Sequence, residues 1–308
     1  MDMALITNVL SAAVIAGTPL LLVALGALVC ERSGVLNLGL EGMMLMGAMV
    51  GFAAAAVTGS LFAGVVLAIV AGIVMSMLFA FMVITLAANQ YAAGLSLTIF
   101  GTGLSAFWGA GYVGSTVSGF ESISIPLLSD LPVLGRVVFQ QDALVYLSFV
   151  LSASVYLLLK FSRAGLIVRA VGESPESANA NGLNVLTVRY LAVGFGGAMA
   201  GLGGAYLSLA YTPLWSENMT AGRGWIALAL VVFATWRPER LVLGAYLFGL
   251  ASILHLVLQG LGWNFPTELL AALPYVVTIV VLVMLSMNPL RTRLNTPLSL
   301  GQPYRPSR

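Results

Sequence analysis

One carboxylate lies at the edge of a long apolar stretch. Glu41 is followed by 79 residues, from Gly42 to Phe120, without one Asp, Glu, Lys or Arg. Asn37 and Glu41 are four residues apart, so a helix here would carry both on one face, which Met44 continues. A carboxylate inside a membrane is costly and normally faces a protein interior or a water-filled path. We predict that these three residues line a pathway through the membrane; pairing of Glu41 for packing alone is the alternative.

Two amide side chains form a second polar group. Asn89 and Gln90 lie at the turn between two long apolar segments. We include both in the predicted pathway lining. A polar hairpin turn without a further role is the alternative.

A capped helix is predicted in the most polar internal segment. Ser174 suits the N-cap, Pro175 the first helical position, and Glu176 the first turn, where an acid interacts favourably with the helix dipole. Gly182 fits the helix end. The sequence therefore predicts a short helix over 174–181 that lies on a membrane face.

This helix belongs to the loop 160–189, the largest that we place on the internal side. Glu173 stands just before the cap, and Gly172 gives the backbone freedom to turn into the helix. Ala178 is one of several small residues along it. The helix is either a solvated surface element or a docking element for a cytoplasmic partner, with Gly172, Glu173 and Ala178 contributing to the contact.

The composition requires a membrane to position these residues. The chain of 308 residues is 60% hydrophobic and 8% charged, against roughly 25% charged residues in soluble domains. A membrane helix needs about 20 apolar residues. We predict an all-α, polytopic membrane protein with nine spans, in the segments 9–29, 38–58, 61–87, 92–113, 143–159, 190–212, 224–236, 241–258 and 269–286.

Basic residues predict the orientation, because they collect in cytoplasmic loops. With the N-terminus outside and the C-terminus inside, eleven basic residues are cytoplasmic and two are external. The external pair is Arg136 and Arg223. The cytoplasmic residues are Arg32, Lys160, Arg163, Arg169, Arg189, Arg237, Arg240, Arg291, Arg293, Arg305 and Arg308.

The seventh span is the shortest. Segment 224–236 has 13 charge-free residues, too few to cross alone, so we expect a broken or tilted helix that starts before Arg223. The chain reads as one transmembrane domain, 1–308, with a flexible cytoplasmic tail over 288–308. No G-x-x-x-x-G-K-[ST] motif occurs, so the chain does not bind ATP by that motif. Cys30 is the only cysteine, and we expect no metal site and no nucleic-acid partner.

Four stretches together resemble a known family. They are ERSGVLNLGLEGMMLMGA, the turn ANQ, GLIVRAVGESPESANANGLNV and GRGWIALALVVFATWRPERLVLGA. In combination they are similar to the permease subunits of ABC importers for nucleosides, within the wider set of ribose and branched-chain amino acid permeases. The resemblance covers about residues 15–286.

The resemblance implies partners and a location. The chain would sit in the bacterial plasma (inner) membrane as a non-enzymatic transport subunit that binds no cofactor itself. Two ABC ATPase subunits would hydrolyse ATP and receive the helix at Ser174, Pro175 and Glu176 as a coupling helix. A second permease subunit, in a heterodimer, would complete the pathway, and an external substrate-binding protein would deliver the small-molecule substrate.

Three other functions stay open on the sequence. Simple sugars or branched-chain amino acids are alternative substrates with the same architecture. An ion-coupled secondary transporter is the third, although it usually needs several acids within the membrane and only Glu41 lies clearly there.

Overall fold

The structure is a computed structural model that describes residues 3–126, 128–260 and 295–305, together with positions 272, 276, 279, 280 and 283. Helices dominate this part of the chain. The helices are α1 (Met3–Arg32), α2 (Leu40–Thr58), α3 (Leu61–Ala80), α4 (Gln90–Gly109), α5 (Leu134–Val138), α6 (Ala143–Phe161), α7 (Arg163–Glu173), α8 (Pro175–Ala180), α9 (Val185–Tyr206), α10 (Arg223–Phe233) and α11 (Pro238–Gly260).

Two of the long helices end in a wider turn. A π-helical turn, Phe81–Thr85, extends α3, and another, Leu207–Tyr211, extends α9. Between α4 and α6 the chain forms a two-stranded antiparallel sheet of β1 (Ser122–Ser124) and β2 (Gln140–Asp142), with Ile123 opposite Gln141. The connection between α4 and α6 therefore contains a small sheet and the short α5.

Within the described residues, six helices are long and apolar enough to cross a membrane. They are α1, α2, α6, α11, and α3 and α9 with their π turns. This confirms the all-α, polytopic class. Helix α4 has 20 residues but is not among the six, and the segment 269–286 lies mostly outside the described residues. The count of nine spans and the orientation stay predictions.

The core lies around α1. Residues Leu21 to Leu25 are entirely shielded from solvent, and α9, α10 and α11 all pack against this helix. Helix α9 is equally central, with α2 and α3 packed on it. Because α1 is buried among other helices from Ala16 to Glu31, the first apolar segment is an integral part of the bundle.

Glycine allows the closest of these contacts. A Cβ added at Gly201 would overlap with the Ala68 carbonyl oxygen of α3, and one at Gly204 with the Met44 carbonyl oxygen of α2. The two backbones approach so closely that only glycine fits. Gly197, on the same face of α9, likewise touches Ser76 and Gly72 of α3.

Two predicted helix starts were wrong. Asn37 lies in a non-helical segment, because α1 ends at Arg32 and α2 begins at Leu40. Asn37 and Glu41 therefore do not share a helix face. Helix α10 begins at Arg223 and not before it, so the segment predicted as the seventh span contains an 11-residue helix that follows turns.

The tail was also predicted wrongly in its described part. The segment 295–305 packs on the bundle instead of extending freely. Ser299 donates its amide N–H and its hydroxyl to the Gly172 carbonyl at 3.1 and 2.7 Å, and Tyr304 is 7% exposed. The Tyr304 ring lies with Val171, Ala178 and Val185 in a separate apolar cluster. The pattern of prolines and arginines that suggested a flexible end did not reveal these contacts.

The predicted orientation can be tested by labelling. Ser122 and Ser177 are both exposed, while Cys30 is buried. Cysteine at position 122 should react in intact cells with a reagent that cannot cross the membrane, and cysteine at 177 only after permeabilisation. The parent chain is the control, because buried Cys30 gives little background. Reaction of position 177 in sealed cells would refute the orientation.

Candidate functional site

The carboxylate of Glu41 is held by the segment that leads into α10. One oxygen, Oε1, accepts hydrogen bonds from the Thr220 hydroxyl at 2.5 Å and from the Gly222 N–H at 2.8 Å. The other, Oε2, accepts from the Gly224 N–H at 2.6 Å. Glu41 is 4% exposed, and these three donors satisfy both of its oxygens.

The contact places a negative charge at the N-terminus of α10. The first N–H groups of a helix have no intrahelical partner, and the positive end of the helix dipole lies there. The Glu41 carboxylate accepts hydrogen bonds from the N–H groups of Gly222 and Gly224, and its negative charge lies near the positive end of the dipole. It is also in the first turn of α2, so one side chain joins the starts of two helices.

Helix α2 begins well inside the bundle. Gly39, its N-cap, lies against Leu97, which is two turns along α4. The seven residues 33–39 therefore run beside helices without forming one. Non-helical backbone at membrane depth is tolerated only where protein or water surrounds it, and interrupted spans often border the transport pathway.

Buried polar side chains satisfy this non-helical segment. Gln90 accepts from the Leu36 N–H at 2.7 Å through Oε1, and Arg189 donates from Nε to the Ser33 carbonyl at 3.2 Å. Asn37 accepts from the Gly39 N–H at 2.9 Å. Gln90 is thus a support for the interrupted region.

Met44 and Asn89, also in the predicted pathway, contact other parts of the chain. Met44 is fully buried in the apolar core, and its backbone meets Gly204. Asn89 is exposed and caps α4 by accepting from the Ala92 N–H at 3.0 Å. A pathway role for the five predicted residues, Asn37, Glu41, Met44, Asn89 and Gln90, stays a proposal.

The predicted helix after Ser174 is present as α8. Ser174 caps it by accepting from the Ser177 N–H at 3.3 Å, and Pro175 occupies the first turn. Glu173 and Glu176 are exposed, whereas Pro175 and Ala178 are buried. The helix therefore has an outward side that carries Glu176 and an inward side with Pro175 and Ala178.

The expectation of a flexible turn at Gly172 was wrong. Gly172 is inside α7, a helix that the sequence analysis missed, and provides no hinge. A Cβ at Gly172 would overlap with the Arg32 carbonyl oxygen, so the residue is small because α7 touches the end of α1. Ala178 packs with Val171 and Tyr304 of its own chain, and its part in a contact with a partner stays a proposal.

A polar cluster at the end of α1 was not predicted. The Trp236 indole N–H donates to Glu31 at 2.6 Å, and Arg32 donates from Nη2 to the Trp236 carbonyl at 2.6 Å. Arg189 also donates to the Ser299 hydroxyl at 3.2 Å. The available signal was that Glu31, Arg32 and Arg189 are charged residues at the ends of apolar spans, where a buried charge needs partners.

These features define a class of protein: a helical membrane transport subunit with interrupted spans and a capped helix on one polar face. The chain belongs to the family described as branched-chain amino acid transport system, permease component, whose model matches residues 9–282. No solved structure was found to match the chain.

Three curated relatives agree on the class and differ in substrate. A putative glucose ABC transporter permease of Haloferax volcanii is 43% identical over 98% of both chains. A nucleoside ABC transporter permease of Lactococcus lactis is 32% identical over 87% of this chain and 88% of its own. A guanosine ABC transporter permease of Bacillus subtilis is 30% identical over 97% of both.

Family membership has direct consequences. The chain is a multi-pass plasma membrane protein and a non-enzymatic transport component. ABC permeases work with ATPase and substrate-binding partners. The relatives are not secondary carriers, so ion-coupled transport is no longer an alternative.

Proposed function

We propose that this chain is a permease subunit of an ATP-driven importer for nucleosides. Nucleosides are supported as the substrate class by the similarity, along most of the chain, to permeases named for nucleosides and guanosine. The segment with SGVLNLGLEGMML, which resembles the nucleoside branch, includes the interrupted region around Glu41.

Helix α8 is the proposed contact with the ATPase. The chain has no P-loop motif, so energy from ATP must arrive through another chain. Exposed Glu176 on this short helix and exposed Glu173 at the end of α7 suit a groove with basic residues. A surface ion pair adds only about 0–1 kcal/mol, so shape decides the fit. Packing of Ala178 and Gly172 on the bundle lets α8 move as part of a rigid unit.

The interrupted region is the proposed border of the pathway. Glu41 fixes the start of α10 against the start of α2, so a displacement of one helix is passed to the other. A second, different permease subunit would provide the opposite side. Asn37, Met44, Asn89 and Gln90 would then shape the path mainly by positioning backbone.

A simple sugar is the second candidate substrate. The specific observation is the 43% identity to a putative glucose permease. Glucose and nucleosides share a hydroxylated ring, so one pathway chemistry serves either, and the external binding protein would choose between them.

Transport by the assembled complex tests the substrate. The permease would be purified with its co-encoded partners and reconstituted in vesicles loaded with ATP on the ATPase side. We expect uptake of labelled guanosine, with unlabelled nucleosides competing and glucose not competing. A complex without the binding protein is the control. Uptake of glucose with no effect of nucleosides would contradict the proposal and favour the sugar.

A further inference from the structure

A cationic cavity opens where four parts of the chain meet. It has a volume of about 320 Å³ and lies beside the ends of α1, α6 and α7 and the start of α11. Four basic side chains line it: Arg32, Lys160, Arg169 and Arg237. Among the lining residues that the structure describes, Glu239 is the only carboxylate.

Three of the four basic side chains donate hydrogen bonds to neutral groups. Arg32 donates to the backbone carbonyls of Trp236 and Asn295 at 2.6 to 3.1 Å. Lys160 donates to the Tyr156 hydroxyl at 2.7 Å, and Arg169 to the Gly165 carbonyl at 3.4 Å. Like charges that share a cavity repel each other, so a bound anion would stabilise this arrangement.

The surroundings favour a ligand that is apolar at one end. Tyr156, Leu159 and Trp236 also line the cavity. Aromatic residues of this kind are enriched at membrane interfaces. The cavity lies at the ends of spans, on the face that the arginine distribution predicts to be cytoplasmic, where anionic lipids are present.

Apolar surface continues from the cavity along two spans. On α6, Leu157 is 55% and Phe161 69% exposed; on α11, Leu243 is 65% and Leu247 55% exposed. The two helices are in contact. Acyl chains could lie on this surface while a phosphate occupies the cavity, whereas free phosphate would need no such surface.

We propose that this cavity binds the phosphate headgroup of an anionic phospholipid of the adjoining leaflet. Arg169 and Lys160 contribute flexible cations that reach the phosphate, and Arg32 gives a fixed one. The cavity is lined by no residue of α8, and the proposal does not depend on which substrate is transported.

Lipid binding to the purified complex tests the proposal. The full-length chain with its partners would be delipidated in detergent and titrated separately with phosphatidylglycerol, phosphatidylcholine and inorganic phosphate. Bound lipid would be counted by native mass spectrometry and thermal stabilisation measured in parallel. We expect phosphatidylglycerol to bind and stabilise, and the other two to do neither.

Charge removal identifies the site. The double variant Lys160→Gln, Arg169→Gln should lose at least about tenfold in phosphatidylglycerol affinity, because each cation near an anionic lipid changes binding by about fivefold. Arg163→Gln is the matched control: it is exposed on α7 but does not line the cavity, and should bind as the parent does.

Three outcomes would overturn the proposal. Equal binding by the double variant and the parent would place the lipid elsewhere. Equal stabilisation by inorganic phosphate would assign the cavity to a soluble anion. Loss of the ATPase subunit from the double variant, with lipid binding intact, would assign these cations to an acidic protein partner.

Discussion

Replacement of Glu41 by alanine should prevent stable assembly of the transporter. The change removes an acceptor for three donors at the start of α10, those of Thr220, Gly222 and Gly224. An unsatisfied buried donor costs about 1–3 kcal/mol, so we expect a loss of roughly 3–5 kcal/mol, as for other broken buried charge interactions. Thermal unfolding of the detergent-solubilised complex, and its yield, would measure the effect.

The glutamine variant separates the charge from the hydrogen bonds. Glu41→Gln keeps one oxygen but turns a donor toward a backbone N–H, so it should cost about 1–3 kcal/mol, less than alanine. Glu121→Ala is the control, since Glu121 is an exposed acid. If Glu41→Ala gave a complex as stable as the parent that did not transport, the carboxylate would act on the pathway directly and its structural role would be refuted.

The sequence predicted Glu41 as the important acid but not its partners. Four-residue spacing suggested a shared face with Asn37, because the apolar pattern gave no sign that α2 starts only at Leu40. The donors at Gly222 and Gly224 are about 180 residues away along the chain. Local patterns do not encode which distant helix start needs a negative charge.

Sequence signals predicted the structure correctly where it depends on residues that are close together in the chain. Ser174 and Pro175 predicted the start of α8, since capping depends on neighbours in sequence. The same reasoning failed for Gly172, whose size is set by a contact with Arg32. It also failed for the tail, because Ser299 and Tyr304 are held by contacts with distant parts of the chain.

The apolar segments predicted the class of protein but not the arrangement of its helices. A long apolar run predicts a span by length alone, and six such helices are present among the described residues. Hydropathy does not distinguish α1, which is buried from Ala16 to Glu31, from a helix at the edge such as α3, with Phe62 77% exposed. Helix α7 was missed because its 11 residues are too few to form a span of about 20 apolar residues.

A bulky residue on the outward side of α8 should uncouple ATP hydrolysis from transport. Ala180 is exposed at the end of this helix, so Ala180→Trp changes the surface offered to the ATPase while Ala178 and Tyr304 remain packed beneath. If α8 enters a groove that fits it closely, the added ring blocks entry. We expect substrate-stimulated ATP hydrolysis and uptake to fall at least about tenfold, equivalent to a loss of about 1.4 kcal/mol.

The comparison that makes this test specific is the same substitution on the neighbouring helix. Ala164 is exposed on α7, so Ala164→Trp adds an equal ring to the same loop without altering α8, and should leave stimulation as in the parent.

Glu173→Ala should weaken stimulation only partly, because an exposed ion pair contributes little. Gly172→Val and a bulky change at Ala178 would displace α8 from the surface of the bundle on which it packs. Both changes should therefore abolish substrate-stimulated ATP hydrolysis. If Ala180→Trp hydrolysed ATP and transported as well as the parent, α8 would be a solvated connection, and the ATPase would have to bind another part of this face.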